Sequence, residues 1–227
     1  MVRAVLVGGL GSLLVALLFA GGPALSASNT VAPSALGRYA QLTETRDFVP
    51  AECLAVIPGA TIDIMDIRYA AAGNGQPNLI LGTDGPDNIS AGNGDDCVVG
   101  GDGNDTILGQ GGNDVILGGA GNDDITTAAG NDWIYAGEGD DTVNAGNDND
   151  NVFGEGGADS LNGGGNDDFV YGGEGDDTLV QGGGGNDFVY GEGGNDTVRG
   201  DAGTDTCDGG PGTDTAHNSC ETQLNIP

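Results

Sequence analysis

Residues 100–126, GGDGNDTIL GQGGNDVIL GGAGNDDIT, are three nine-residue units set end to end. Each opens with a glycine-rich turn, reaches an aspartate at its sixth position and closes in a short strand whose middle residue is apolar. A period this regular marks a solenoid, in which no unit can bury its apolar side alone and each does so by stacking on its neighbours. Followed outward in both directions, the aspartate recurs as Asp87, Asp96, Asp105, Asp114, Asp123, Asp132, Asp141, Asp150, Asp159, Asp168, Asp177, Asp187, Asp196, Asp205 and Asp214. Two residues after each comes Ile89, Val98, Ile107, Ile116, Ile125, Ile134, Val143, Val152, Leu161, Val170, Leu179, Val189, Val198, Cys207 or Ala216, the side chain predicted to enter the core. One extra residue breaks the count between Asp177 and Asp187, and Gln181 is its expected position. The predicted fold is all-β, a two-sheet solenoid with a small N-terminal cap. Its fifteen or so three-residue strands alternate between two parallel sheets because every turn changes sheet.

The residue types in the turns point to a metal. Calcium is a hard cation that takes six to eight oxygens at about 2.3–2.6 Å, and a carboxylate among backbone carbonyls meets that demand. Glycine lets the turn adopt positive φ and aim its carbonyls at one point. Where a side chain replaces the fourth-position glycine it is Asp148 or Asn166, types that tolerate the left-handed region. The turn Thr127-Ala128-Ala129-Gly130-Asn131-Asp132 lacks both leading glycines, so its site is predicted to be the weakest. In a metal-free solenoid the aspartates would only make Asx turns. Carboxylates stacked at ~4.8 Å without cations would then accumulate a repulsion that short strands could not overcome.

Over roughly residues 79–217 the units resemble the nonapeptide GGxGxDxUx of the RTX, or hemolysin-type, family of calcium-binding repeats. The resemblance implies a right-handed parallel β-roll with Ca2+ between turns two units apart. It also implies that all fifteen aspartates are ligand carboxylates, those at the ends binding weakly. Odd and even units would form two columns with up to about 13 gaps, and about 26 positive charges there would nearly cancel a formal net charge of −30.

The chain carries 35 Asp and Glu against 5 Lys and Arg, none of them lysine, which makes nucleic acid and anionic membranes poor partners. With 47 glycines and few aromatics, the metal-free chain has the composition of a disordered one. Residues 1–27 read as a cleaved secretory signal peptide, with Arg3, an apolar run from Ala4 to Ala20 and a small-residue exit at Ala24-Leu25-Ser26-Ala27. Residues 28–77 read as a capping segment, residues 78–217 as the roll and residues 218–227 as a C-terminal cap. Within the first of these, the alternation from Thr61 to Ile67 suggests one or two strands. The expected location is extracellular, free or at the cell surface. Cys53, Cys97, Cys207 and Cys220 form an even set in an exported chain and are expected as disulfides. Three pairings are possible, and Cys207–Cys220 with Cys53–Cys97 is preferred.

Sorting the outward-pointing residues by sheet gives an uneven result. Even units present Val99, Val115, Leu117, Trp133, Tyr135, Phe153, Phe169, Tyr171, Phe188 and Tyr190, whereas odd units present mainly Asn, Ser and Thr. One face is therefore predicted aromatic and the other polar. Three readings of the aromatic face stand open: cover by the pre-repeat segment or a second copy, adhesion to a surface polysaccharide, and binding of another protein. HExxH and GxSxG are absent, and a hydrolase built from paired carboxylates is a remote alternative. The expected function is that of a secreted, non-enzymatic calcium-binding protein that folds on extracellular calcium as a structural or adhesive component. An extracellular calcium buffer is the alternative.

Overall fold

The computed structural model describes residues 77–217, 219–225 and Gly75, together with the backbone of Arg3–Gly9, Ser12–Leu18, Thr61–Ile62 and Ala70–Ala71. The chain divides into two compact units, Met1–Ala55 and Val56–Pro227. In the first, Arg3–Gly9 and Ser12–Leu18 pair antiparallel. The remainder of the expected signal peptide and Cys53 lie outside the described residues.

The second unit is a two-sheet solenoid. Successive strands fall in opposite sheets, and within a sheet each pairs in parallel with the strand two units on. Trp133–Glu138 lies between Val115–Ala120 and Asn151–Gly156 in a ten-stranded sheet, here the aromatic sheet. Thr142–Asn147 lies between Asp124–Thr126 and Ser160–Gly165 in a nine-stranded sheet, the polar sheet. The core is the seam between them. Ile89, Ile107, Ile125, Val143, Leu161, Val180 and Val198 from the polar sheet pack against Ile80, Val98, Ile116, Ile134, Val152, Val170, Val189 and Cys207 from the aromatic sheet, all buried. One aliphatic side chain per nine residues suffices because only a thin layer has to be filled.

Most strands are six residues long rather than the predicted three. Pairing runs on into the turn, where Gly139 N donates to Gly156 O (2.7 Å) and Gly157 N to Glu174 O (2.9 Å). A strand of six has a second inward position two residues past the aliphatic one. It holds glycine or a buried alanine such as Ala91, Ala136 or Ala145. Where it is Gly118, a Cβ would run into the Ala136 carbonyl and the Asp123 carboxylate, so nothing larger fits.

The extra residue is not at Gln181, and Leu179 is not the core residue of its unit. Val180 is fully buried and pairs with Leu161 and Val198, while Leu179 sits opposite Ser160 and Gln181 opposite Asn162. The insertion is a bulge at Thr178–Leu179, where both N–H groups turn to the one carbonyl of Asp159 (2.9 and 3.3 Å). A bulge absorbs the added residue at the sheet edge of the turn and leaves the glycine loop after it unchanged.

Each end is built from a partial repeat. Thr61–Ile62 and Ala70–Ala71 add one strand to the aromatic and polar sheets respectively. Residues 63–67, the rest of the predicted alternation, lie outside the described residues. At the other end Thr222–Leu224 pairs in parallel with Thr206–Asp208, and a Cys207–Cys220 disulfide closes the last turn as expected. Cys97 is also disulfide-bonded.

Candidate metal centre

All fifteen repeat aspartates are buried, at 0–5% exposure. In each column the carboxylate reaches back along the solenoid, so that Oδ1 accepts the backbone N–H of the aspartate one full turn earlier. Asp132 takes it from Asp114 (2.8 Å), Asp141 from Asp123 (2.7 Å) and Asp168 from Asp150 (2.8 Å). The second oxygen, Oδ2, is buried without a hydrogen-bond partner in every aspartate from Asp96 to Asp214. Only Asp87, in the first turn, is reversed: Thr83 donates to its Oδ2 through N and Oγ1 (2.6 and 2.9 Å), which leaves Oδ1 the orphan.

The free oxygens point at the first glycine of their own turn. A Cβ on Gly163 would lie 2.6 Å from Asp168 Oδ2 and 2.8 Å from the carbonyl oxygen of Gly182, and one on Gly191 would lie 2.6 Å from Asp196 Oδ2 and 2.7 Å from the Gly209 carbonyl. Carboxylate and next-turn carbonyl therefore converge on the same spot. Among the described residues no three His, Cys, Asp or Glu side chains gather at one point. The donor set available to a cation is one carboxylate per turn plus backbone carbonyls, the all-oxygen environment that suits calcium.

Burial dominates the titration of these groups. It pushes Asp114 and Asp150 up to about 8, Asp141, Asp168 and Asp177 to about 7, and Asp96, Asp105, Asp159 and Asp187 to about 6. In most of them the like charges one turn away add to the rise, as Asp132 and Asp96 do for Asp114. Orphaned, buried, mutually repelling oxygens are what a column of divalent cations would relieve. The residues thus fit the metal that the turns imply.

The turn predicted to be weakest is visibly different. Its first position is Thr127, buried, whose hydroxyl donates to the Ala145 carbonyl and so occupies the space left open by glycine elsewhere. The strand before it, Asp124–Thr126, shrinks to three residues. Burial raises Asp132 to about 6, below its column neighbours Asp114 and Asp150 at about 8. At the fourth position Asp148 and Asn166 both take φ of 76°, as expected of their types.

Three features went unread in the sequence. Asn78, nine residues before Asp87, fills the aspartate position of one more unit, its N and Nδ2 donating to Asp96 Oδ1 at 2.7 and 2.8 Å. At the far end Glu221 replaces the next column member and accepts from Asp205 N (2.7 Å). Fifth-position residues form a second, exposed ladder running the opposite way: Asn131 N donates to Asn113 Oδ1 (2.7 Å) and Asn149 N to Asn131 Oδ1 (2.9 Å). The Asn or Asp that precedes eleven of the fifteen repeat aspartates was its signal.

Trp133, Tyr135, Phe153, Phe169, Tyr171, Phe188 and Tyr190 all lie on the aromatic sheet. Tyr135, Phe153, Tyr171 and Tyr190 form one stack with centroids 4.9–5.0 Å apart, and Phe169 stacks on Phe188 at 5.0 Å. Nearer the N-terminal end of the same sheet the outward residues Leu79, Cys97 and Val115 are buried, whereas Trp133, Phe169 and Phe188 are 39–44% exposed.

The family model of the RTX calcium-binding nonapeptide repeat, which describes four copies, matches residues 72–107, 99–134, 117–152, 144–179 and 181–216. The matched segments leave a gap only at residue 180, beside the bulge. No curated protein matches the chain. A family match over more than half of the sequence, laid on a roll whose every turn leaves one carboxylate oxygen free, makes this calcium-binding repeat protein a member of the RTX nonapeptide repeat family.

Proposed function

We propose that the chain is exported, remains unfolded at cytoplasmic calcium, and folds outside the cell into a non-catalytic structural or adhesive component of a surface or matrix. The observation that carries this reading is the row of buried Oδ2 atoms without partners. Each is costly to hold as a bare carboxylate, and together they make folding conditional on cations. At millimolar calcium, extracellular-type sites with dissociation constants of about 10⁻⁴–10⁻³ M contribute roughly 0.4–1.4 kcal/mol each. About a dozen coupled sites add up to something comparable with a domain's whole stability. The short basic start and apolar run of residues 1–27 support export. The exposed aromatic side chains on one sheet supply the contact surface that an adhesive role requires.

The test is co-sedimentation of the secreted protein with cell-wall or matrix fragments, in calcium and in chelator. Calcium-dependent pelleting is expected. Protein that stays in the supernatant under both conditions would rule out the adhesive role.

A further inference from the structure

The aromatic sheet carries a second asymmetry. All four glutamates of the roll, Glu138, Glu155, Glu174 and Glu192, sit at the ends of its strands, and the polar sheet has none. All four are exposed, and none of their carboxylates makes a hydrogen bond or ion pair with another described residue. Glu155 and Glu192 occupy a turn position with φ of 73° and 70°, where the neighbouring turns of the same sheet use Gly137 and Gly173. On the polar sheet the equivalent non-glycine residues are engaged within the chain: Gln110 donates to Ser90 Oγ (2.6 Å), and Asp201 is paired with Arg199. Left-handed backbone is thus accepted on both sheets, but only on the aromatic one does it present a carboxylate with nothing to hold.

We propose that the acidic-edged aromatic sheet docks a cationic, amphipathic polypeptide segment of another protein, the glutamates taking its arginine or lysine head groups and the ring edges its apolar side chains. The inference rests on the calcium-folded roll proposed above and gives its contact surface a ligand class. Charge complementarity selects the occupant. A second copy packed face to face would set glutamates against glutamates, and the one basic residue within residues 77–217, Arg199, lies on the opposite sheet. Ring geometry selects against stacked sugars. Phe153, Tyr171 and Tyr190 lie within 7° of parallel at 4.9–5.0 Å, so their faces cover one another and leave their edges for contact. Edges in rows at strand spacing suit aliphatic stems, and Glu155 and Glu192, two strands apart, recur at about 9.6 Å. A guanidinium fork can engage each carboxylate at two points.

The test uses the full chain in millimolar calcium and a fluorescent peptide of alternating arginine and leucine. A peptide of alternating arginine and serine serves as the charge-matched control. Anisotropy at 0.15 M salt should show the arginine–leucine peptide binding at least tenfold more tightly. Glu155→Gln with Glu192→Gln, and separately Phe169→Ser with Tyr171→Ser, should each weaken it at least tenfold, and Asp124→Asn on the polar sheet less than twofold. Equal binding of the two peptides, or equal loss from Asp124→Asn, would mean that only the net charge is felt and would overturn the proposal. So would peptide-independent dimerisation that shifts Trp133 emission. Circular dichroism of the same samples separates the two readings: a roll that persists in chelator defeats calcium-coupled folding, and the titration still decides the docking face.

Discussion

The two sheets share everything that points inward and almost nothing that points outward. Ile125 of the polar sheet and Ile134 of the aromatic sheet are equally buried in the same seam, and each follows an aspartate with an orphaned oxygen. Outward, the polar sheet offers Thr142 and Asn144 where the aromatic sheet offers Trp133 and Tyr135. Stacking and metal constrain the inward half of each unit, since every turn must superimpose on the next. The outward half is left free of that demand. Sequence bias there reports on contacts with something else, which makes the difference between the sheets more informative about function than their likeness.

The largest expected effect treats both sheets alike. In chelator the chain should give the circular dichroism of coil, and millimolar calcium should convert it cooperatively to β. Equal magnesium should not, because it holds its water and prefers tight octahedra. A roll already folded in excess chelator would remove the common feature on which the comparison stands.

Protons should substitute in part for calcium. Burial raises the repeat carboxylates in the fold, Asp114 and Asp150 to about 8 and Asp105 and Asp187 to about 6, above their unfolded value near 4. Groups raised by folding stabilise it fully below the unfolded value, and the contribution is lost as pH rises through the folded one. In chelator, β signal should therefore grow as pH falls from about 8 towards 4. Absence of any β signal in chelator at pH 4 would show that desolvated carboxylates are not what keeps the metal-free chain open.

How much of this was legible follows from what a period can encode. A constant spacing of nine fixes which residues superimpose, and with it both sheets, both columns and the division into aromatic and polar faces. It cannot say how far pairing extends into a glycine turn, since glycine has no side chain to show burial, and the strands proved six residues long. Nor does it locate an insertion. One residue too many between Asp177 and Asp187 leaves Leu179 and Val180 equally eligible for the core, and only the backbone hydrogen bonds to Asp159 decide it. Asn78 and Glu221 escaped because the residue type changes at the ends: Glu221 accepts as an aspartate would, whereas the Asn78 amide holds the position by donating to Asp96.

A pair of substitutions within the aromatic sheet sharpens the inward–outward contrast. Ile134→Ala should cost about 2–5 kcal/mol by emptying the seam. Phe188→Ser, which breaks the single ring pair with Phe169 on the surface, should cost about 0.5–1.5 kcal/mol. Urea titrations in saturating calcium measure both. Equal costs would mean that the aromatic sheet is part of the folding core after all.

Position along the columns should matter next. Asp141→Ala leaves the buried N–H of Asp123 without its acceptor and removes the carboxylate proposed as a ligand, with turns on both sides. Asp214→Ala does the same to Asp196 N but stands near the chain's last turn. The calcium midpoint should shift about twice as far, in kcal/mol, for Asp141 as for Asp214. Equal shifts would argue that turns bind independently.

The smallest effect concerns the bulge, which among the described residues lies in the polar sheet. There Thr178 N, Leu179 N and Thr178 Oγ1 all turn to the carbonyl of Asp159, at 2.9, 3.3 and 2.9 Å. Deleting Thr178 would give Leu179 N that acceptor alone and return the unit to nine residues. One fewer residue need then be ordered, a gain of about 1–2 kcal/mol, against the loss of a partly exposed hydroxyl contact worth about 1 kcal/mol. The net change should be under about 1 kcal/mol and the calcium midpoint should move less than about threefold. Because Val180 and Gln181 keep their partners in either arrangement, the ring stacks on the other sheet should not notice, and Trp133 emission in the calcium-loaded state should be unchanged. A deletion that shifts the midpoint tenfold would show that the bulge sets the register of the turns after it, and that the two sheets are not free to vary separately.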